Sequence, residues 1–209
     1  MRRRRNQYKT KKSRIRRNFG GGLNFNRHKK SVNKTVLKEI LTWAGEIILA
    51  VVLAGMLVFA FGGRVPVVGQ SMSGTLESGQ VVLMNRIAYK LFSPKQNDII
   101  VFLPNGNEKS HYYIKRVIAV PGDTVQIKEG KVYVNDEPFE EEIENSYIEN
   151  GLLAEEPITV GEDEYFVLGD NRNNSEDSRY ANIGNVKKEH IEGKAWFIVS
   201  PWKEFGFLK

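Results

Sequence analysis

One segment constrains this chain more than any other. Ile40 to Phe61 is a run of 22 largely apolar residues, Ile-Leu-Thr-Trp-Ala-Gly-Glu-Ile-Ile-Leu-Ala-Val-Val-Leu-Ala-Gly-Met-Leu-Val-Phe-Ala-Phe, in which Glu46 is the single charge. As a helix rising about 1.5 Å per residue it reaches roughly 33 Å, enough to cross a bilayer core of about 30 Å. Glu46 and Trp43 both sit toward the N-terminal end, where a carboxylate can be protonated or reach headgroups and an indole anchors at the interface. A transmembrane helix over 39–62 is therefore expected; its length and flanking charge argue against the buried helix of a soluble core. The other competitor is a cleaved leader, because Ala60-Phe61-Gly62 loosely resembles a small-x-small cleavage site. Against it, the run exceeds the 7–15 apolar residues of a secretory leader and the basic region before it is unusually extended. An uncleaved signal anchor is the favoured reading.

Charge divides sharply around this span. Residues 1–38 hold 15 Lys/Arg and no acid, whereas 39–209 hold 16 basic and 25 acidic residues, so the overall +6 conceals a cationic tail and a body of net −9. The positive-inside rule, with only Arg64 close after the span, places residues 1–38 in the cytoplasm and 63–209 on the extracytoplasmic side of a single-pass cell-membrane protein. The tail shows no hydrophobic periodicity and is read as disordered. Its cations suit a lipid bilayer with anionic headgroups, at about 1 kcal/mol each near the surface. Tyr8, Phe19 and Phe25 are its only aromatics, so no specific nucleic-acid partner is expected. The absence of cysteine excludes a disulfide framework, a thiolate nucleophile and Cys-ligated metals. At 209 residues the chain has room for one domain plus an appendage.

From Val65 onward, short β-branched or aromatic runs alternate with turn signals, which predicts strands over 65–68, 80–85, 98–103, 111–120, 124–128, 131–134, 164–168 and 194–199. Residues 125–134 read as a hairpin turning at Glu129-Gly130. The expected fold class is mainly β: an antiparallel β-barrel or sandwich, preceded by one N-terminal transmembrane helix. Residues 132–171 contain thirteen acids and no Lys or Arg; within them, 132–164 is read as an acidic, solvated excursion. Neither a P-loop nor His-Glu-x-x-His is present.

Three clusters carry possible chemistry. The first, Gly69-Gln-Ser-Met-Ser-Gly-Thr-Leu76, follows a short strand about eight residues beyond the span. The second is Tyr112-Tyr-Ile-Lys-Arg-Val-Ile-Ala-Val-Pro-Gly-Asp123. Strand alternation puts Tyr113, Lys115, Val117 and Ala119 on one face and Ile114, Arg116, Ile118 and Val120 on the other. Each face thus carries one cation among apolar residues, and at least one should be partly buried. Burial lowers a lysine's pKa, while arginine stays charged, so only Lys115 can become a neutral base. The third cluster, Leu168-Gly-Asp-Asn-Arg-Asn-Asn-Ser-Glu-Asp-Ser-Arg179, is either an exposed loop or a polar network in which Asp170 and Asp177 pair with Arg172 and Arg179. A serine nucleophile needs a base. His28 lies in the tail, His111 and His190 sit in no motif with a carboxylate, and Ser71 with Lys115 is the more economical pair.

These clusters, in this order after one N-terminal span, closely resemble bacterial type I signal peptidases, the membrane-anchored Ser/Lys endopeptidases of protein export. The resemblance covers roughly 40–209 and is most specific in the Gly-Asp-Asn-Arg-x-Asn-Ser-x-Asp-Ser-Arg pattern. It implies Ser71 as nucleophile and Lys115 as general base in acyl transfer, Ser175 hydrogen-bonded to the lysine, and Asp177 with Arg172 and Arg179 bracing that arrangement beside Asp170. It implies pockets for small −3 and −1 side chains near Val67, Val68, Met72, Leu76, Tyr113 and Ile114. Secretory preproteins are the implied partners, and no metal or cofactor is implied. Gly74 stands where the family commonly has Pro, Asn173 where Asp is frequent, and Gly69 where some members place a hydroxyl that helps bind the oxyanion. Two other classes fit less well: a self-cleaving Ser/Lys protease of the repressor type, and a non-catalytic extracytoplasmic assembly factor with the same fold.

Overall fold

The computed structural model describes residues 34–140, 143 and 147–208. The reading of 1–33 as a disordered tail, and part of the acidic excursion, lie outside them. The chain divides into two compact units, Met1–Gly45 and Glu46–Lys209.

The apolar run forms a helix, α1 (Lys34–Phe61), long and apolar enough to cross a membrane, and only Ala60 in it is buried. It begins at Lys34, ahead of the expected boundary at 39. That boundary followed the charge pattern, but Lys-Thr-Val-Leu-Lys-Glu contains no helix breaker, so nothing stops the helix at the last cation. The helix ends where Gly62-Gly63 follows, with the Gly62 N–H donating to the Val58 carbonyl at 2.8 Å.

Beyond it the fold is mainly antiparallel β, as the sequence pattern predicts. Twelve strands are formed among the described residues: β1 (Gly63–Pro66), β2 (Val81–Asn85), β3 (Ile99–Phe102), β4 (Tyr113–Ala119), β5 (Thr124–Lys128), β6 (Lys131–Val134), β7 (Glu137–Pro138), β8 (Ile158–Thr159), β9 (Glu164–Leu168), β10 (Val186–Lys187), β11 (Ile191–Ser200) and β12 (Gly206–Phe207). All eight predicted strands are present. The larger sheet runs β1-β2-β11-β3-β4-β9-β10, with β12 added beside β11; the smaller runs β7-β6-β5-β8. The β5–β6 hairpin turns at Glu129-Gly130, with Lys128 opposite Lys131.

Alternation along β3 sends Ile99 and Val101 into one apolar cluster and Ile100 and Phe102 into another. On β4, Ile114 joins the first and Val117 the second, but Ile118 and Ala119 both enter a third cluster, between the sheets. The strict two-residue alternation expected through Ala119 fails there because the β4–β9 register shifts between Val117 and Ala119. That third cluster also corrects the view of 132–164 as an excursion from the core. Its carboxylates Asp136, Glu137, Glu155 and Glu156 are exposed, yet Val132, Val134, Ile148, Ala154 and Val160 between them are buried against Val125, Ile127, Phe166 and Leu168. Acids at the outward positions of short strands and turns dominate the composition without preventing the inward positions from packing.

Candidate active site

Ser71 lies in the connection between β1 and β2. Two hydrogen bonds, Val67 N–H to the Gln80 carbonyl (2.8 Å) and Gly79 N–H to the Val67 carbonyl (3.0 Å), close its neck. Within it the Met72 carbonyl accepts from Thr75 and Leu76 (3.0 and 2.7 Å), making a tight turn just after the serine. Met72 and Leu76 are buried in the first apolar cluster with Val82, Ile99 and Ile114. The serine is thus fixed by apolar neighbours that drop into the core. Gly74 has φ +101°, a conformation closed to proline, whose ring holds φ near −65°. The Pro expected here from the family pattern would not fit this turn.

Lys115 sits in the middle of β4, opposite Ile100 of β3, while its neighbour Arg116 is opposite Leu168, the last residue of β9. The chain leaving β9 at Gly169 therefore emerges beside Lys115, and that register is why the second and third clusters meet. Lys115 is 3% exposed, and its Nζ lies 2.7 Å from Ser71 Oγ. Burial lowers its pKa to about 8; Asp177, Glu176 and Asp170 favour the ammonium against that effect, and Arg179 opposes it. As an ammonium, Nζ donates to the hydroxyl; once neutral, its lone pair faces the hydroxyl proton.

The third cluster is a buried network, which decides between the two readings of its composition. Asp170, Arg172, Ser175, Asp177, Ser178 and Arg179 are all buried. Arg179 grips Asp177 with two bonds (2.8 and 2.9 Å), and Asp177 also accepts from the Gly169 N–H at 3.1 Å. Arg179 donates to the Arg172 carbonyl, and Arg172 Nε to the Gly169 carbonyl at 3.1 Å. The pairing expected for Asp170 is corrected: its partner is Arg116, through bonds of 2.9 and 2.8 Å, and Arg116 also donates to the Asn97 carbonyl and to Thr75 in the serine loop. The hydrogen bond expected from Ser175 to Lys115 is not made. Ser175 Oγ is buried against Gly169, with no hydrogen-bond partner among the described residues. Any Cβ at Gly169 would fall 2.2 Å from that oxygen and 2.3 Å from the Ser71 carbonyl oxygen.

Two contributors escaped the sequence reading. The Asn171 N–H donates to the Ser71 carbonyl (3.1 Å) and its Nδ2 to the Gln70 carbonyl (3.0 Å), while Asn174 Nδ2 donates to Gln70 Oε1 (3.3 Å). These asparagines clamp the serine loop from the far side. Their abundance in the motif was visible; their target was not. Among the described residues the Ser71 N–H meets no acceptor, which leaves it available to an oxyanion.

Of the six residues expected to shape small pockets, Val67, Met72, Leu76 and Ile114 pack together, Val68 stands 75% exposed beside them, and Tyr113 packs against the other face's cluster with its hydroxyl on Glu176. The alternative bases lie elsewhere: His111 is exposed, and His190 faces Glu189 at 3.7 Å and packs over Gly106.

Comparison with known proteins converges on one family. The profile of the family described as signal peptidase, peptidase S26, matches residues 40–202. A signal peptidase I of Bacillus amyloliquefaciens is 36% identical over 185 residues, which are 84% of this chain and 97% of that protein. Signal peptidase I S of Bacillus subtilis (strain 168) is 37% identical over 184 residues, again 84% and 97% of the two chains. A crystal structure of a signal peptidase I from Enterococcus faecalis V583 is 32% identical, covering 48% of this chain and 95% of that one at a TM-score of 0.38. A buried lysine against a loop serine, braced by the Gly169–Arg179 network, and a profile spanning residues 40–202 lead to one assignment: the chain belongs to the signal peptidase family, peptidase S26.

Proposed function

We propose that this chain is a membrane-anchored signal peptidase that removes signal peptides from exported preproteins after small residues at −3 and −1, with Ser71 as nucleophile and Lys115 as general base. The observation that carries the reading is the 2.7 Å approach of Lys115 Nζ to Ser71 Oγ in a setting whose burial lowers the lysine's pKa to about 8. Neutral Lys115 takes the hydroxyl proton as Oγ attacks the scissile carbonyl, and the Ser71 N–H stabilises the resulting oxyanion. The ammonium then protonates the departing amine, so the mature protein leaves and an ester joins the signal peptide to Ser71. Lys115, neutral again, activates the water that hydrolyses the ester. Preprotein segments dock as an extended strand beside the Ser71 loop and β4, which sets the register without reading long sequence. The N-terminal tail is cytoplasmic and the β body extracytoplasmic, following the cation asymmetry around α1.

The test is cleavage of a preprotein in detergent by the intact chain beside Ser71→Ala and Lys115→Ala. Cleavage after a small residue by the intact chain, lost in both variants while both melt cooperatively, is the expected result. Activity should climb through about pH 8 as the lysine sheds its proton; a profile flat down to pH 5 would count against a lysine base.

A further inference from the structure

The carboxylates near Lys115 are not equivalent. Asp177 is held bidentately by Arg179 and Asp170 by Arg116, so each has a guanidinium against it. Glu176, between Ser175 and Asp177, has no cationic partner among the described residues. Its two oxygens are instead held by neutral donors: Tyr113 Oη–H at 3.0 Å and Asn182 Nδ2. Tyr113 stands two residues before Lys115 on β4, and its ring centroid is 5.4 Å from Lys115 Nζ. The donor that anchors Glu176 therefore belongs to the same aromatic ring that faces the lysine.

We propose that Glu176, oriented by Tyr113, is a positioning residue whose uncompensated negative charge raises the pH at which Lys115 becomes available as a base. The proposal rests on the Ser71–Lys115 reading and adds to it a residue acting through the lysine. The groups facing the lysine are Ser71 from the β1–β2 loop, Tyr113 from its own strand, and Asp170, Glu176, Asp177 and Arg179 from the loop after β9. The arginines beside the two aspartates offset part of their charge at the lysine, whereas no described cation offsets that of Glu176. It holds the ammonium in place further up the pH scale than burial alone would. The Tyr113 hydroxyl, made harder to ionise by burial and then by its bond to this carboxylate, remains a donor throughout the working range.

Because Glu176 is exposed, water and salt screen it, and its effect is modest and salt-dependent. Cleavage of a soluble peptide would be followed as kcat/KM from pH 5.5 to 10.5 for the intact chain, Glu176→Gln and Glu176→Asp. With Glu176→Gln the ascending limb should move down by about half a pH unit at low ionic strength, giving roughly threefold more activity on the acid side, and should return toward the native position in 1 M salt. Glu176→Asp, which keeps the charge, should restore most of the native limb. A structural role alone would change the height of the profile without moving the limb. If the native limb is present and Lys115→Ala abolishes activity, yet Glu176→Gln leaves the limb unmoved at low salt, the proposal is overturned while the dyad stands. If Lys115→Ala cuts normally, the dyad itself fails.

Discussion

Lys115 carries a cost that follows from its own chemistry. An unfolded lysine keeps its proton to about pH 10.5, while the folded one releases it near pH 8. Between these values the unfolded state binds more protons, so stability rises with pH; below about pH 8 the full penalty of burying the ammonium is present. The difference corresponds to about 3 kcal/mol. Lys115→Met, similar in length and free of charge, should therefore melt above the native chain at pH 7, with the gap narrowing from pH 8 to 10.5 and closing beyond; thermal melts across that range check it. A variant that melts lower at pH 7 would mean the ammonium is fully compensated. That Lys115 would meet Ser71 was legible in the sequence, because the absence of Cys and the placement of His left few other pairs to consider. The partner of Asp170 was not legible, since Arg116 lies 54 positions away and meets it only through the β4–β9 register.

Among the elements, the longer strands announced themselves by β-branched runs between turn signals, whereas the two-residue strands β7, β8, β10 and β12 are too short to display any period. In the smaller sheet the β5–β6 hairpin was legible, but the packing of residues 148–160 against it was not, because exposed acids such as Glu155 and Glu156 dominate the composition there. The junction after β9 is the most exacting element. Gly169 admits no side chain, because a Cβ there meets the carbonyl oxygen that Asn171 holds and the hydroxyl of Ser175. Gly169→Ala should push the serine loop off the strand end, lowering cleavage at least about 100-fold, since a shift of about 1 Å suffices for that loss. The melting temperature should fall as well, in keeping with overpacking costs of about 1–3 kcal/mol. Peptide cleavage and thermal melts on the same preparation measure both; an unchanged rate would show that the loop yields without penalty.

For the molecule as a whole, membrane attachment and chemistry are separable in principle, because α1 buries only Ala60 and ends before β1. A chain beginning at Gly63 should keep cleaving a soluble peptide at a similar rate. It should lose at least about tenfold on a preprotein embedded in vesicles, where a shared membrane raises the local concentration of the two partners. The ratio of the two activities is the measurement, and equal losses on both substrates would mean that the helix supports the fold instead. Strand order adds a last point. β11 lies between β2 and β3, so the hairpin bearing Ser71 and the strand bearing Lys115 are joined through residues 191–200. A chain still under synthesis already contains both proposed reactive groups but lacks the wedge that brings their strands into one sheet. The proposed dyad therefore stays dormant until residues 191–200 have joined the sheet.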